Sequence, residues 1–193
     1  ASAIISFADF REAHPDGVVL SRETGYNRSY GQNPYAGYDT IGQNPFLFDG
    51  EVDGRLPAMA RVVTVYLPES GAAVAYPLSV LAAAGVIQDS QSGQDLAVFH
   101  TSGTSSALGA AKIAEAEDVG ATGVFDPNLN GQTLTFTAQD GVITDEETGS
   151  TWNVSGQATA GPLAGQALTR IVHGDHFWFS WAAFRPDTIL YGS

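Results

Sequence analysis

Cysteine is absent from the 193-residue chain, which excludes disulfide staples, thiolate-ligated zinc or iron–sulfur centres and any redox chemistry run through a thiol. Lysine is nearly absent too. Lys112 stands alone, and 8 basic residues face 21 acidic ones, for a formal net charge of -13. Such a surface repels phosphate backbones and anionic lipid heads, so nucleic acid and acidic membranes are poor candidate partners, no nucleic-acid partner is expected, and cations are better candidates. Long apolar runs are missing as well. Gly, Ser, Asp or Pro interrupts each one before the ~18 residues that suggest a spanning helix, and no membrane span is expected. Methionine occurs once, at Met59, and the chain starts at Ala1 without a basic, apolar leader; the expectation is either a signal segment already removed or the tail of a longer protein. Abundant carboxylate with scarce lysine suits a hydrated surface at high salt, where screening weakens self-repulsion. A halophilic or marine source is the corresponding expectation.

What is present is a hydrophobic fraction of 44%, enough for one self-sufficient core over residues 1–193. Within that single domain, residues 1–24 are expected to form a short helix and strand lead-in, 25–57 a Gly/Asn/Tyr/Pro-rich loop region packed on the body and 58–193 a β-rich body. Ser6 before Phe7, Phe10 and Ala13, with Asp9 in the acidic place of a capping box and Pro15-Asp16-Gly17 as a stop, predicts a short helix. Gly31-Gln32-Asn33-Pro34-Tyr35 is echoed by Gly42-Gln43-Asn44-Pro45-Phe46, a turn-dense stretch too short in period for a solenoid. Its tyrosines are expected to pin the loop to the body.

Arg61 to Tyr66 and Ala72 to Tyr76 predict a hairpin, followed by a helix from Pro77 that Gly85 ends. Strands are predicted at 86–88 and 96–100 around a Ser-Gln-Ser-Gly turn. More follow at 123–125, 133–137, 142–144, 151–154 and 168–172. Residues 105–118 are ambiguous, since alanines favour helix and Gly109 interrupts it. His176 to Phe184 is predicted as a last helix, with Phe177, Trp181 and Phe184 on one face, and 189–191 as an edge strand. The fold class is α+β, mainly antiparallel β meander and hairpins with a few short helices and a long turn-rich N-terminal loop region.

The chemistry-bearing residues concentrate in His173-Gly174-Asp175-His176, where two imidazoles and a carboxylate could ligate zinc or copper if His100 joined them. The competing reading is an exposed turn whose histidines bond to backbone. The cofactor therefore stays unknown, a divalent metal being the candidate. Asp126, Asn128 and Asn130 before Gly131 match the opening of a calcium loop, but the twelfth position is Thr137 rather than glutamate, which favours an ordinary hairpin turn. Asp49, Glu51 and Asp53 form a second acidic turn. Ser102, Ser105 and Ser106 near His100 suggest a nucleophile, without the G-x-S-x-G elbow that would support it. Asn27-Arg28-Ser29 and Asn153-Val154-Ser155 are glycosylation sequons. Two function classes follow: a non-catalytic binding or assembly module with a protein partner or a second copy, and a metal-dependent enzyme or carrier around His173, Asp175 and His176.

Taken in order, the segment from Pro15 through Arg22-Glu23-Thr24-Gly25-Tyr26, Gly31 to Tyr38, Thr148-Gly149-Ser150-Thr151-Trp152, Gly161 to Gly165 and Phe177-Trp178-Phe179-Ser180-Trp181 resemble the domain of unknown function 3179 family. The resemblance spans nearly the whole chain and is to the C-terminal half of longer two-half members. It implies an exported or lipid-anchored, extracytoplasmic protein. The first half of such members carries two cysteines after a strand, whereas Thr101-Ser102-Gly103-Thr104 follows His100 at the matching place here. Hydroxyls are poor ligands for soft metals, so any chemistry of those cysteines does not transfer.

Overall fold

A computed structural model describes residues 3–193. Helix α1 (Phe7–Ala13) starts at Ser6, whose hydroxyl accepts from the Asp9 amide at 3.0 Å and donates to the Asp9 carboxylate at 2.7 Å. From His14 to Ala60 the described chain has no further helix and no strand beyond one bridging residue. Strands β1 (Arg61–Leu67) and β2 (Ala72–Pro77) make the expected hairpin, and α2 (Leu78–Ala84) follows directly, with Pro77 as its N-cap.

Strands β3 (Val86–Gln91) and β4 (Gln94–Thr101) run longer than the sequence pattern suggests. Their turn is only Ser92-Gly93, both at positive φ (52° and 84°), the two-residue geometry that matches strand twist. Residues 105–118 form no α-helix; a 3-10 turn at Ile113–Glu115 is their one helical piece. The chain continues through β5 (Ala121–Asp126), β6 (Asn128–Leu129), β7 (Gln132–Thr133), β8 (Phe136–Gln139), β9 (Val142–Asp145), β10 (Thr151–Trp152), β11 (Ala158–Ala160) and β12 (Thr169–Arg170). Then come β13 (His173–Phe177), α3 (Trp178–Phe184) and β14 (Ile189–Leu190). His176 and Phe177 therefore belong to a strand rather than the final helix. Pairing of β13 with β1 from Arg61↔Phe177 to Val65↔His173 satisfies backbone groups that a helix starting at His176 would have taken.

Three four-stranded sheets result, ordered β13-β1-β2-β14, β12-β5-β4-β3 and β11-β10-β9-β8, with β6-β7 as a separate ribbon. All pairings are antiparallel except β14 with β2. Strand β4 lies between two cores, so its continuous apolar run Leu96–Phe99 is buried on both faces. Leu96 and Val98 join Val63, Val65, Val74 and Tyr76 of the first sheet. Ala97 and Phe99 point the other way, to Phe136, Ile143 and Trp152 of the third. There the Phe99, Phe136 and Trp152 rings pack edge to face, at 5.0 and 5.6 Å between centroids, the arrangement that ring quadrupoles favour. The outer face of the first sheet is covered by α3 through Val62, Ala75, Trp178 and Ala182.

Candidate functional site

The start of β1 and α2, the end of β4 and the start of β5 meet at one end of the two stacked sheets, where residues 102–120 fold over them. Arg61 is the first residue of β1 and stands opposite Phe177, with its guanidinium 5.0 Å above that ring. Its Nη2 donates to Asp39 Oδ2 at 2.7 Å and to Ser106 Oγ at 2.8 Å. The Ser106 hydroxyl donates to the same carboxylate. Asp39 and Ser106 are only 6% and 1% exposed, so the charge pair is held by hydrogen bonds rather than by water. Burial alone would raise the Asp39 pKa; hydrogen bonds from Ser106 and Arg61, with the guanidinium charge, hold it below its ordinary value.

No described residue accepts from Arg61 Nε or Nη1, and Arg61 lines two adjoining cavities, of about 400 and 180 Å³. The larger has Met59, Leu78 and Val119 on its walls, with His100, Ser102, Glu117 and Asp118 among its polar groups. His100 Nε2 lies 3.3 Å from the Val119 carbonyl oxygen. That approach requires glycine next in the chain: Gly120 has φ of +72°, and a Cβ there would overlap His100 Nε2. Asp118 closes the covering loop by accepting from the amides of Gly103, Gly120 and Thr104 at 2.7, 2.8 and 3.0 Å. These backbone bonds, Gly103 foremost, lower its pKa. The Thr101 and Thr104 hydroxyls are buried with no partner in the described chain.

The histidine block divides. Alternation along β13 puts His173, Asp175 and Phe177 on one face and His176 on the other. His173 Nδ1 is 2.9 Å from the Ile171 carbonyl, and burial lowers its pKa, which keeps it neutral. Asp175 accepts from Thr122 at 2.7 Å, and Thr122 is the cross-strand partner of His100. His176 Nδ1 instead pairs with Thr64 Oγ1 at 2.9 Å, and its ring packs 5.4 Å from that of Trp181. Among the described residues no three His, Asp or Glu side chains converge closely enough to hold a metal ion; His100, His173, Asp175 and His176 are not brought into one ligand set.

Asp126, Asn128 and Asn130 make a hairpin corner. Asp126 accepts from the Asn128 amide at 2.8 Å, Asn128 from the Gly131 amide at 3.2 Å, and Asn130 donates to Gln166 at 2.7 Å. Asn130 and Gly131 both have positive φ, 55° and 80°, as a two-residue turn between β6 and β7 demands. Asp53 forms an ion pair with Arg55 at 2.8 Å, and Arg55 also donates to the Thr188 and Pro186 carbonyls at 2.8 and 2.9 Å, tying the loop region to the C-terminus. Of the loop tyrosines, Tyr38 packs on Phe177 at 5.9 Å, while Tyr26 and Tyr35 are exposed. Ring pinning is therefore the work of Tyr38 and of Phe48 against Phe179. Asn27 is exposed, whereas the Asn153 amide is bonded to Gln157 at 3.0 Å.

Local pattern does not mark Arg61, Asp39 and Ser106 as a group, because the contacts between them span 22, 45 and 67 positions. The one signal in the sequence is an arginine heading the otherwise apolar run Arg61-Val62-Val63.

These features define a stacked-sheet α+β protein with a partly polar cavity at one end of its inner sheets. The chain belongs to the family described as Protein of unknown function (DUF3179), whose pattern matches residues 1–188. No curated protein and no solved structure matches it.

Proposed function

We propose that the chain is a non-catalytic, extracytoplasmic assembly module that associates with a second copy through its N-terminal quarter. The observation that carries this is Val18-Val19-Leu20, which lies outside every helix and strand with its side chains 92%, 65% and 84% exposed. Three successive apolar residues in a segment without strand pairing are a template for strand addition. Each side chain would gain about 1.5–3 kcal/mol if fully buried. The same chain supplies open sheet edges, which favours a second copy as the occupant. The extracytoplasmic location rests on the family resemblance.

A non-catalytic reading is supported by the state of the histidines. His176 Nδ1 is engaged by the hydroxyl of Thr64, which is 2% exposed and donates to the Gly174 carbonyl at 3.1 Å. Nothing in the positions of His100, His173, Asp175 and His176 favours the metal-enzyme alternative. Cation binding stays within this reading only as diffuse attraction to a chain of net charge -13.

Sedimentation velocity over a wide concentration range tests the proposal. A rise in mass above 20.2 kDa that is abolished by Val19→Asp with Leu20→Asp is the expected result. A monomer at every concentration would overturn it.

A further inference from the structure

The larger cavity beside Arg61 is independent of the exposed N-terminal segment, and its chemistry selects a ligand class. Its volume of about 400 Å³ falls at the small end of the ~300–1,000 Å³ typical of small-molecule sites. Met59, Leu78 and Val119 give it an apolar wall. Its polar groups are of both kinds. Among the described residues Arg61 donates only through Nη2, leaving Nε and Nη1 as donors. Ser102 and Glu117 also line the cavity and no described side chain pairs with theirs, so a hydroxyl and an acceptor carboxylate are both available.

Charge then narrows the choice. An anionic ligand would find the Arg61 charge already balanced by Asp39 at 2.7 Å and would meet Glu117 and Asp118 on the same walls. An ammonium or guanidinium ligand would find Glu117 as the one lining carboxylate without a described partner, since Asp39 is taken by Arg61 and Ser106 and Asp118 by three backbone amides, and it would leave the Arg61 Nε and Nη1 donors unmatched. A charged ligand of either sign thus leaves desolvated groups of the site unpaired, which is costly. A neutral molecule that offers hydroxyls as both donors and acceptors around an apolar face meets neither penalty. We propose that the cavity binds an uncharged polyhydroxylated ligand of about monosaccharide size, with Arg61 donating to one ring or hydroxyl oxygen and Glu117 accepting from another.

The test uses saturation-transfer NMR and calorimetry on the full chain, with methyl glucoside, methyl galactoside and N-acetylglucosamine as neutral probes and choline and acetate as charged ones. Saturable binding of at least one sugar, tighter than either charged probe, is expected. Arg61→Gln should weaken it, but that variant also removes the Asp39 ion pair and can unfold the chain. Ala82→Phe provides the second arm: Ala82 is exposed on α2 and lines the cavity, so a ring there fills the space without touching Arg61. It should lower affinity by about tenfold or more while the melting temperature stays unchanged. No saturation by any sugar, tighter binding of choline or acetate, or sugar binding unaltered in a folded Ala82→Phe protein would each overturn the proposal.

Discussion

Asp145 is 1% exposed at the end of β9. Its carboxylate accepts from Trp152 Nε1 at 2.9 Å, the Thr148 amide at 2.6 Å and the Thr148 hydroxyl at 2.8 Å. Burial by itself raises its pKa, yet the bonds from Trp152 and Thr148 outweigh that and hold it below the ordinary 3.8. A carboxyl whose folded pKa lies below its unfolded value contributes stability that is fully present above the unfolded value and lost as pH falls through the folded one. Asp39 and Asp118 are depressed in the same direction, so the three together predict an acid limb below pH of about 4. Asp145→Asn replaces an acceptor-only group by an amide that must turn an N–H or leave a donor unmatched against Trp152. The expected loss is about 1.5–3 kcal/mol at neutral pH, with a shallower acid limb. Urea unfolding at pH 7 and across the acid range measures both; an unchanged midpoint at neutral pH would show that the carboxylate charge contributes nothing there.

At the scale of elements, the joint between β13 and α3 is where local pattern and tertiary pairing part. Helical spacing places Phe177, Trp181 and Phe184 on one face, but Phe177 is strand and Phe184 is 84% exposed. The buried residues of α3 are Trp178 and Ala182, four apart, and Trp178 donates to the Asp53 carbonyl at 2.9 Å. Trp178→Ala should therefore cost about 3–5 kcal/mol, and Phe184→Ser should stay within about 0.5 kcal/mol. Guanidinium unfolding of the two variants separates the alternatives, since a costly Phe184→Ser with a mild Trp178→Ala would restore the face read from spacing. The α1 cap, the first hairpin and the Gly85 stop are legible in the sequence because each depends on residues a few positions apart. The 105–118 segment is not. Its course is set by distant backbone bonds, from the Asn33 amide to the Ala111 carbonyl and from the Gly37 amide to Leu108, both 2.8 Å, and by the Asp118 cage. The cavity is unreadable for the same reason: sequence shows His100 and the serines after it, but not that the loop carrying Asp39 docks on residues 108–111 and so meets Arg61 at the start of β1.

For the whole molecule the largest imbalance is one of charge. Of 8 basic residues, those at 55, 61 and 112 form the three ion pairs among the described residues, and the Lys112–Glu115 pair is exposed and contributes little. Added salt thus has few favourable surface contacts to weaken and a net charge of -13 whose self-repulsion it screens, as the Debye length falls from ~10 Å at 0.1 M to ~3 Å at 1 M. The Asp39–Arg61 pair is the buried one of the three and is screened least. Melting temperature should therefore rise from dilute buffer to molar potassium chloride, by about 2–4 °C for each kcal/mol of repulsion relieved. Chloride is the informative anion, because sulfate strengthens apolar burial in any protein. A second condition separates charge from salting-out. Near the sequence pI of about 4.3 the net charge approaches zero, so the salt-dependent gain should shrink there. A gain of the same size at both pH values would assign it to apolar burial, and a melting temperature flat or falling with salt at neutral pH would show that repulsion between carboxylates has no significant influence on the stability of this fold.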